Sequence, residues 1–251
     1  MSSLKNKVAV VTGGNSGIGL STAEELIAQG ARVIITGRDE KRVAEAAAQI
    51  GAQGIVADQA SLTDSDALVK QIEAAYGKVD FLFINAGTAR MAPFEQATEE
   101  DFDVVMNLNF KGAFFTLQKF VPILNQNSSV VFLSSVNAQT AMVNTSVYGP
   151  SKAALNALMK VAAYELAPKG IRVNSVSPGL IQTPIFGKAG LSDEQIDGFT
   201  GAFANRNPVK RIGTSAEVAK LVAFLASDDS GYITGSDYLI DGGVNLNPIF
   251  V

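Results

Sequence analysis

The chain has 251 residues, 20 Lys+Arg against 24 Asp+Glu, 47% hydrophobic residues, and neither cysteine nor histidine. Without Cys or His there is no disulfide, thiol nucleophile, imidazole base or Cys/His zinc site, which excludes His-dependent catalytic triads and zinc-dependent alcohol dehydrogenases. A net charge of −4 scattered along the chain gives no basic face for nucleic acid or anionic lipid. Neither a signal-peptide apolar core near the N-terminus nor an apolar run of about 18 residues is present, so the expectation is a cytoplasmic protein without nucleic-acid or membrane partners.

Short β-branched runs at Lys7–Thr12, Arg32–Thr36, Gly54–Ala57, Asp80–Ile84, Ser129–Ser134, Arg172–Ser177 and Tyr238–Ile240 predict about seven strands. Helical patterns lie between them: Ile18–Gln29 ending at Gly30, Glu40–Ile50 ending at Gly51, and the long Glu99–Leu124 and Tyr148–Ala167. Strands this apolar, alternating with helices of ten residues or more, call for a parallel sheet buried on both faces with right-handed crossovers. No linker divides the alternation, which predicts one α/β domain over residues 1–251 built on a doubly wound parallel sheet. The irregular stretch at about 185–207 reads either as a substrate lid with an apolar underside or as a surface helical insertion packing its own aromatics.

The turn Thr12-Gly13-Gly14-Asn15-Ser16-Gly17-Ile18-Gly19 follows the first strand and opens the first helix, where glycines let backbone amides approach a pyrophosphate at a helix N-terminus. Its spacing is Gly-x3-Gly-x-Gly rather than Gly-x-Gly-x-x-Gly. Together with Asn85-Ala86-Gly87, Asn109-x-x-Gly112, Ser135 and Tyr148-x-x-x-Lys152, this turn resembles the classical short-chain dehydrogenase/reductase family over essentially the whole chain. The resemblance implies a Rossmann-type fold, an NAD(P) cofactor and metal-independent carbonyl chemistry.

The side chains agree with that reading. Tyr148 and Lys152 are four apart at the start of a helix, so they share a face. A tyrosine is a poor acid or base at neutral pH, and a cation held beside its hydroxyl stabilises the phenolate and lowers its pKa. Ser135 ends a strand thirteen residues before Tyr148, the separation family members show between active-site serine and tyrosine, and its hydroxyl can donate to a substrate carbonyl. Adjacent Ser134 competes, but strand alternation sends the two side chains to opposite faces. Asn109 lies inside a helical stretch that asparagine does not favour. By resemblance it interrupts the helix and holds a water that extends a proton relay from Tyr148 through the cofactor ribose and Lys152.

The resemblance also assigns the cofactor contacts: Gly13, Asn15, Ser16, Gly17, Ile18 and Gly19 around the pyrophosphate, Asp58 and Gln59 near the adenine, and Asn85, Ala86 and Gly87 by the adenosine ribose. Tyr148 and Lys152 face the nicotinamide ribose, and Pro178, Gly179, Ile181 and Thr183 the nicotinamide. Gly37 leaves empty the place where an NAD-preferring member carries an acid, and Arg38 can pair with a 2′-phosphate through its planar fork, so NADP(H) is expected to be preferred with NAD(H) possible. Against a strict preference, Ser16 stands where many NADP-dependent relatives carry a second basic residue.

Substrate contacts are expected from Ser135 and Tyr148 and from Asn137, Val143, Leu180, Phe186 and Phe199, a mostly apolar set that suits a small hydrophobic ketone, aldehyde or alcohol. The alternative is a 3-oxoacyl carrier-protein reductase, which must dock a very acidic partner, yet Lys188, Arg206, Lys210 and Arg211 form no convincing cluster. A non-enzymatic dinucleotide sensor has no need for Asn109, Ser135, Tyr148 and Lys152 together. A homo-oligomer, by resemblance a tetramer, is expected to pack the two long helices through Ala153, Ala154, Ala157, Ala162 and Ala163, with the apolar tail at 247–251 against a partner subunit.

Overall fold

The computed structural model describes residues 4–183 and 193–246, with seven strands in one parallel sheet of order β3-β2-β1-β4-β5-β6-β9. These are β1 (Val8–Val11), β2 (Arg32–Gly37), β3 (Gln53–Val56), β4 (Val79–Ile84), β5 (Leu124–Leu133), β6 (Arg172–Pro178) and β9 (Asp237–Ile240). Two short strands, β7 (Ile181–Gln182) and β8 (Gly213–Thr214), pair separately. The order reverses between β1 and β4, which opens a crevice at their carboxyl ends, the place where sheets of this kind bind ligands.

The strands are nearly all apolar because both faces are covered. Helices α1 (Gly17–Ala28), α2 (Glu40–Ile50) and α8 (Ser215–Ala226) cover one face, where Ala23, Leu26 and Val222 pack on Val11, Ile35 and Phe83. Helices α3 (Leu62–Tyr76), α5 (Ala113–Phe120) and α6 (Tyr148–Leu166) cover the other, with Ile72, Phe120 and Met159 against Val10, Leu82 and Phe132. Each buried Leu, Ile or Phe contributes roughly 1.5–3 kcal/mol relative to exposure. The two cores flank the crevice and leave its upper rim to the loops.

Two expectations change. The stretch Glu99–Leu124 is not one α-helix. It is α4 (Glu99–Met106), a π-helical segment Asn107–Gly112, α5, and a 3₁₀ turn ending at Ile123 around Pro122. β5 begins at Leu124, five residues earlier than its apolar run, because the polar Asn125–Ser128 segment is an irregularity in the β4–β5 pairing with Asn127 at φ 67°. In the stretch at about 185–207, where a lid and a helical insertion were both open, Asp193–Arg206 forms a helix, α7, while the part up to residue 192, including Lys188, lies outside the described residues. Phe186, the side chain of Phe199 and the tail at 247–251 lie outside them too.

Of the alanines expected to meet a partner, Ala162 and Ala163 belong to the chain's own core. The outward stripe of α6 is Ala153, Ala157, Val161 and Tyr164, the last 86% exposed. No described helix is long and apolar enough to cross a membrane, and no group of three or more acidic residues among the described ones could hold a metal ion.

Candidate active site

Gly13 has φ 62°, and a Cβ on it would lie 3.0 Å from Ala86 Cα. A Cβ on Gly19 would lie 2.5 Å from both Gly13 O and Asn85 Nδ2. The turn is therefore compressed against the loop after β4 at two points, and only glycine fits. Asn85 explains the compression: its Nδ2 donates to Thr12 O (2.8 Å) and Gly13 O (3.1 Å). In return the Thr12 hydroxyl accepts from the amides of Asn85 (2.9 Å) and Ala86 (3.1 Å). Two loops from neighbouring strands are thus locked together, and α1 begins beside them at Gly17. Ser16 at its N-cap makes no side-chain capping bond and the first turn carries no acid, so the positive end of the helix is left for an anion. This cradle fits the pyrophosphate of a dinucleotide.

Gly37 is not next to an empty place. A Cβ there would meet Val43 Cγ2 at 2.9 Å and the Asn15 side chain at 3.1 Å, so Asn15 from the glycine turn already fills it. Arg38 is exposed and makes no hydrogen bond or ion pair among the described residues, whereas Asp39 caps α2 through Arg42 N at 2.9 Å. The guanidinium is thus not engaged in starting the helix. Asp58 Oδ1 accepts from Ala60 N (2.9 Å), a local turn contact. Gln59 is buried, and its Nε2 donates to Ala86 O (3.0 Å) and Leu108 O (3.3 Å), joining the loop after β3 to the loop after β4 and to the π segment. Gln59 is therefore a strut between cofactor-side loops.

Asn109 sits in the π segment, a feature that usually marks a functional irregularity in a helix. Its Oδ1 accepts from Thr88 N (2.8 Å), and its Nδ2 donates to Thr88 O (2.9 Å) and to Ser151 Oγ (3.1 Å). Both amide hydrogens are occupied, so this side chain clamps the Asn85-Ala86-Gly87 loop to α6, and the expected relay water does not have those donors to bind. Ser151 in turn donates to Tyr148 O (2.7 Å), placing the clamp one turn along from the tyrosine.

Lys152 lies on the same stripe of α6. It is buried, its Nζ donates to Leu133 O (2.7 Å), and it stands 5.9 Å from the centroid of the Tyr148 ring. Burial pulls its pKa down from 10.5 to about 8, which leaves it about nine-tenths cationic at pH 7. Tyr148 departs from the expected lowering. Burial pushes its phenol above the ordinary value of 10.0, and a hydrogen bond with the Ser135 side chain opposes the rise without cancelling it. Tyr148 therefore carries its proton at neutral pH, as a donor must, while the raised pKa makes it a weaker acid than a free phenol. Ser135 ends its segment as the cap of a short turn, its Oγ accepting from Asn137 N at 3.2 Å. Ser134 points the other way and donates to Lys152 O at 3.4 Å, the structural role of the pair.

The structure therefore brings Asn109, Ser135, Tyr148 and Lys152 together above the carboxyl ends of β4 and β5. Val143 is 84% exposed, and Leu180 lines a separate cavity of about 180 Å³ with Val209, Arg211 and Gly242. Gly179 packs flush on Asp241, where a Cβ would lie 2.9 Å from its Cα, and Ile181 is buried against β8, so the loop after β6 is fixed by the chain itself up to Thr183. Sequence reasoning missed Thr12 and Ser151 as struts. A hydroxyl that accepts amide protons across 73 residues leaves no pattern in the chain.

Comparisons with known proteins agree on one family. A family model described as "Enoyl-(Acyl carrier protein) reductase" matches residues 13–245. The chain is 37% identical over 245 residues to the oxidoreductase asL5 of Sarocladium schorii, covering 96% of each. It is also 37% identical to a tropinone reductase homolog of Arabidopsis thaliana, over 98% of this chain and 92% of that one. Among solved structures, the RhlG/NADP active-site complex of Pseudomonas aeruginosa superposes with a TM-score of 0.90 at 32% identity, covering 97% of this chain and 98% of the other. A short-chain type dehydrogenase/reductase of Mycobacterium marinum gives 0.89 at 29%, covering 98% of each.

Proposed function

We propose that this chain, which belongs to the short-chain dehydrogenase/reductase family and is an NAD(P)-dependent oxidoreductase, reduces a small hydrophobic ketone or aldehyde to the alcohol and runs the reverse oxidation. The observation that carries the reading is the buried Tyr148 phenol, beside the Ser135 side chain and with the Lys152 ammonium 5.9 Å from its ring centroid. The nicotinamide of the bound cofactor supplies the hydride chemistry. The chain's own residues do the rest. Ser135 donates a hydrogen bond to the carbonyl oxygen and orients it. Tyr148 delivers its proton to that oxygen as negative charge builds there, and the Lys152 ammonium stabilises the phenolate left behind. In the oxidation direction the same tyrosine must start as the base, which the raised pKa resists and the cation favours.

Three further points belong to this reading. The unengaged Arg38 supports a preference for NADP(H), in keeping with the NADP complex of the Pseudomonas aeruginosa neighbour, with NAD(H) also used. The exposed stripe on α6 supports a homo-oligomer. The carrier-protein reading is weakened, since Arg211 is engaged by Glu217 (2.6 Å) and Lys210 by Asn205 O (2.9 Å).

The test is turnover of NADPH and NADH with a panel of ketones, β-ketoesters and a 3-oxoacyl thioester, in the wild type and in Tyr148→Phe. Tyr148→Phe is expected to lose at least tenfold in kcat, about 1.4 kcal/mol or more of barrier, while nucleotide binding stays within a few fold. Retention of more than about a tenth of kcat removes Tyr148 as proton donor. Nucleotide binding with no turnover on any carbonyl favours a sensor.

A further inference from the structure

We infer that Asp237 is a positioning residue for the reaction: its carboxylate fixes the spacing between the turn that carries Ser135 and the helix that carries Tyr148 and Lys152. This rests on the reading of those three residues as the reacting set.

Asp237 opens β9 at the edge of the sheet, in register with Ser175 of β6. Its Oδ1 accepts from the hydroxyls of Ser175 and Ser177, both 2.8 Å away and both buried on one face of β6. That pair alone would tie strand to strand. Oδ2, however, reaches out of the sheet to two other elements, accepting from Gln139 Nε2 (2.7 Å) and Asn156 Nδ2 (2.9 Å). Four donors saturate an ionised carboxylate, which offers about four lone-pair sites.

The two outer partners are what give the contact its reach. Tyr148, Lys152 and Asn156 recur every four residues and so lie on one stripe of α6. Gln139 closes the turn that begins at Ser135. Within that turn Ser135 Oγ accepts from Asn137 N, Ser135 O from Ala138 N (2.9 Å), and Val136 O from the amides of Gln139 (2.9 Å) and Thr140 (3.0 Å), so the segment moves as one piece. A single oxygen atom thus bridges the serine's turn, at its closing residue Gln139, and the tyrosine's helix, about two turns beyond Tyr148. The Oδ1 of Asn156 is buried with no partner, so its amide is oriented by what Nδ2 gains from Asp237. Neither Gln139 nor Asp237 is a catalytic residue in this account. They act by setting the Ser135–Tyr148 distance, on which orientation of the carbonyl depends.

The experiment compares Asp237→Ala, Asp237→Asn, Gln139→Ala and Tyr148→Phe by steady-state kinetics, nucleotide titration and thermal melting of the full chain. Gln139 is exposed, so Gln139→Ala is expected to keep the fold. It cuts the arm to the serine's turn together with the hydrogen bond that Gln139 Oε1 accepts from Asn245 Nδ2 (3.2 Å), and Asn245→Ala, expected to keep wild-type kcat, is the control for that second contact. The kcat of Gln139→Ala is expected to fall by about three- to tenfold, with KM for the carbonyl and nucleotide Kd within about twofold and Tm nearly unchanged. Asp237→Ala is expected to lose at least tenfold in kcat. Asp237→Asn should recover most of that, because its amide can offer oxygen to Gln139 and Asn156 while the two serine hydroxyls turn to accept from its N–H groups. If Gln139→Ala keeps wild-type kcat, the positioning role is overturned even should Asp237→Ala fail to fold. A fall in Tm for Asp237→Ala with no loss of kcat overturns it as well. If Tyr148→Phe itself keeps full turnover, the reading of the site falls first; a dead Tyr148→Phe beside an unaffected Gln139→Ala removes only this inference.

Discussion

Replacing Lys152 with methionine tests the desolvation of the site through stability rather than turnover. Lys152 is 4% exposed, and its pKa falls from 10.5 in the unfolded chain to about 8 in the folded one. A depressed lysine pKa means that the folded state holds this proton less tightly than the unfolded state. The penalty is therefore fully present below about pH 8, and it is relieved as pH rises from about 8 towards 10.5, where the unfolded chain still binds the proton and the folded chain does not. Taken through the linkage relation, the cost at pH 7 is about 3 kcal/mol and falls to about 1.4 kcal/mol at pH 9.5, a gain of about 2 kcal/mol for the wild type. Tyr148, whose pKa lies above 10.0, stays protonated in that window and does not mask the gain. Methionine matches the unbranched stem and cannot titrate, but it leaves Leu133 O without its donor, at a cost of about 1–3 kcal/mol that does not vary with pH. The expected result of urea unfolding without added nucleotide is thus two proteins of comparable stability at pH 7, with the wild type stabilised relative to Lys152→Met by about 2 kcal/mol at pH 9.5. A stability difference that does not change between the two pH values would refute the claim that this ammonium is desolvated.

Other expected outcomes follow from the loops and the surface. Gly19→Ala forces a Cβ to 2.5 Å from a carbonyl and an amide nitrogen, so nucleotide Kd measured by fluorescence titration should rise at least tenfold. Thr12→Val removes the acceptor of two loop amides and should lower unfolding free energy by about 2 kcal/mol in a denaturant titration. Arg38→Ala should leave Tm unchanged and lower the NADPH/NADH ratio of kcat/KM by about tenfold, roughly 1.4 kcal/mol; it is a cleaner variant than Gly37→Asp, whose Cβ would displace Asn15. Light scattering at micromolar concentration should give a multiple of 26.3 kDa, and Tyr164→Glu, on the exposed stripe of α6, should lower it.

The architecture was legible because it rests on periodicity. Strands apolar and buried along nearly their whole length, with helices whose apolar residues lie three and four apart, identify a covered parallel sheet without any knowledge of contacts. The reacting residues were legible through spacing along the chain, as with Tyr148 and Lys152 on one helical face. What stayed hidden depends on elements meeting from far apart. Burial of Tyr148 raises a pKa that the neighbouring lysine alone was expected to lower, and burial is a property of the folded neighbourhood. Asn15 fills the space beside Gly37 from another strand's loop, and Gln59 spans three segments. The early start of β5 was missed because Asn125–Ser128 carries turn residues yet continues the strand through an irregularity.

The π segment between α4 and α5 has a further consequence for how this chain tolerates insertions and deletions. Each residue added to or removed from an α-helix turns everything beyond it by about 100°, so most single-residue deletions in a helix misplace a whole face. Here the helix already carries wider turns than its neighbours need, at Asn107–Gly112. A one-residue deletion there would let the backbone relax to ordinary α geometry while α4 and α5 kept their own packing. The same deletion would withdraw Asn109 from Thr88 and Ser151 and release the loop beside the nucleotide. The helix thus stores its function in a surplus residue: the shorter chain would fold, and it would have lost the clamp.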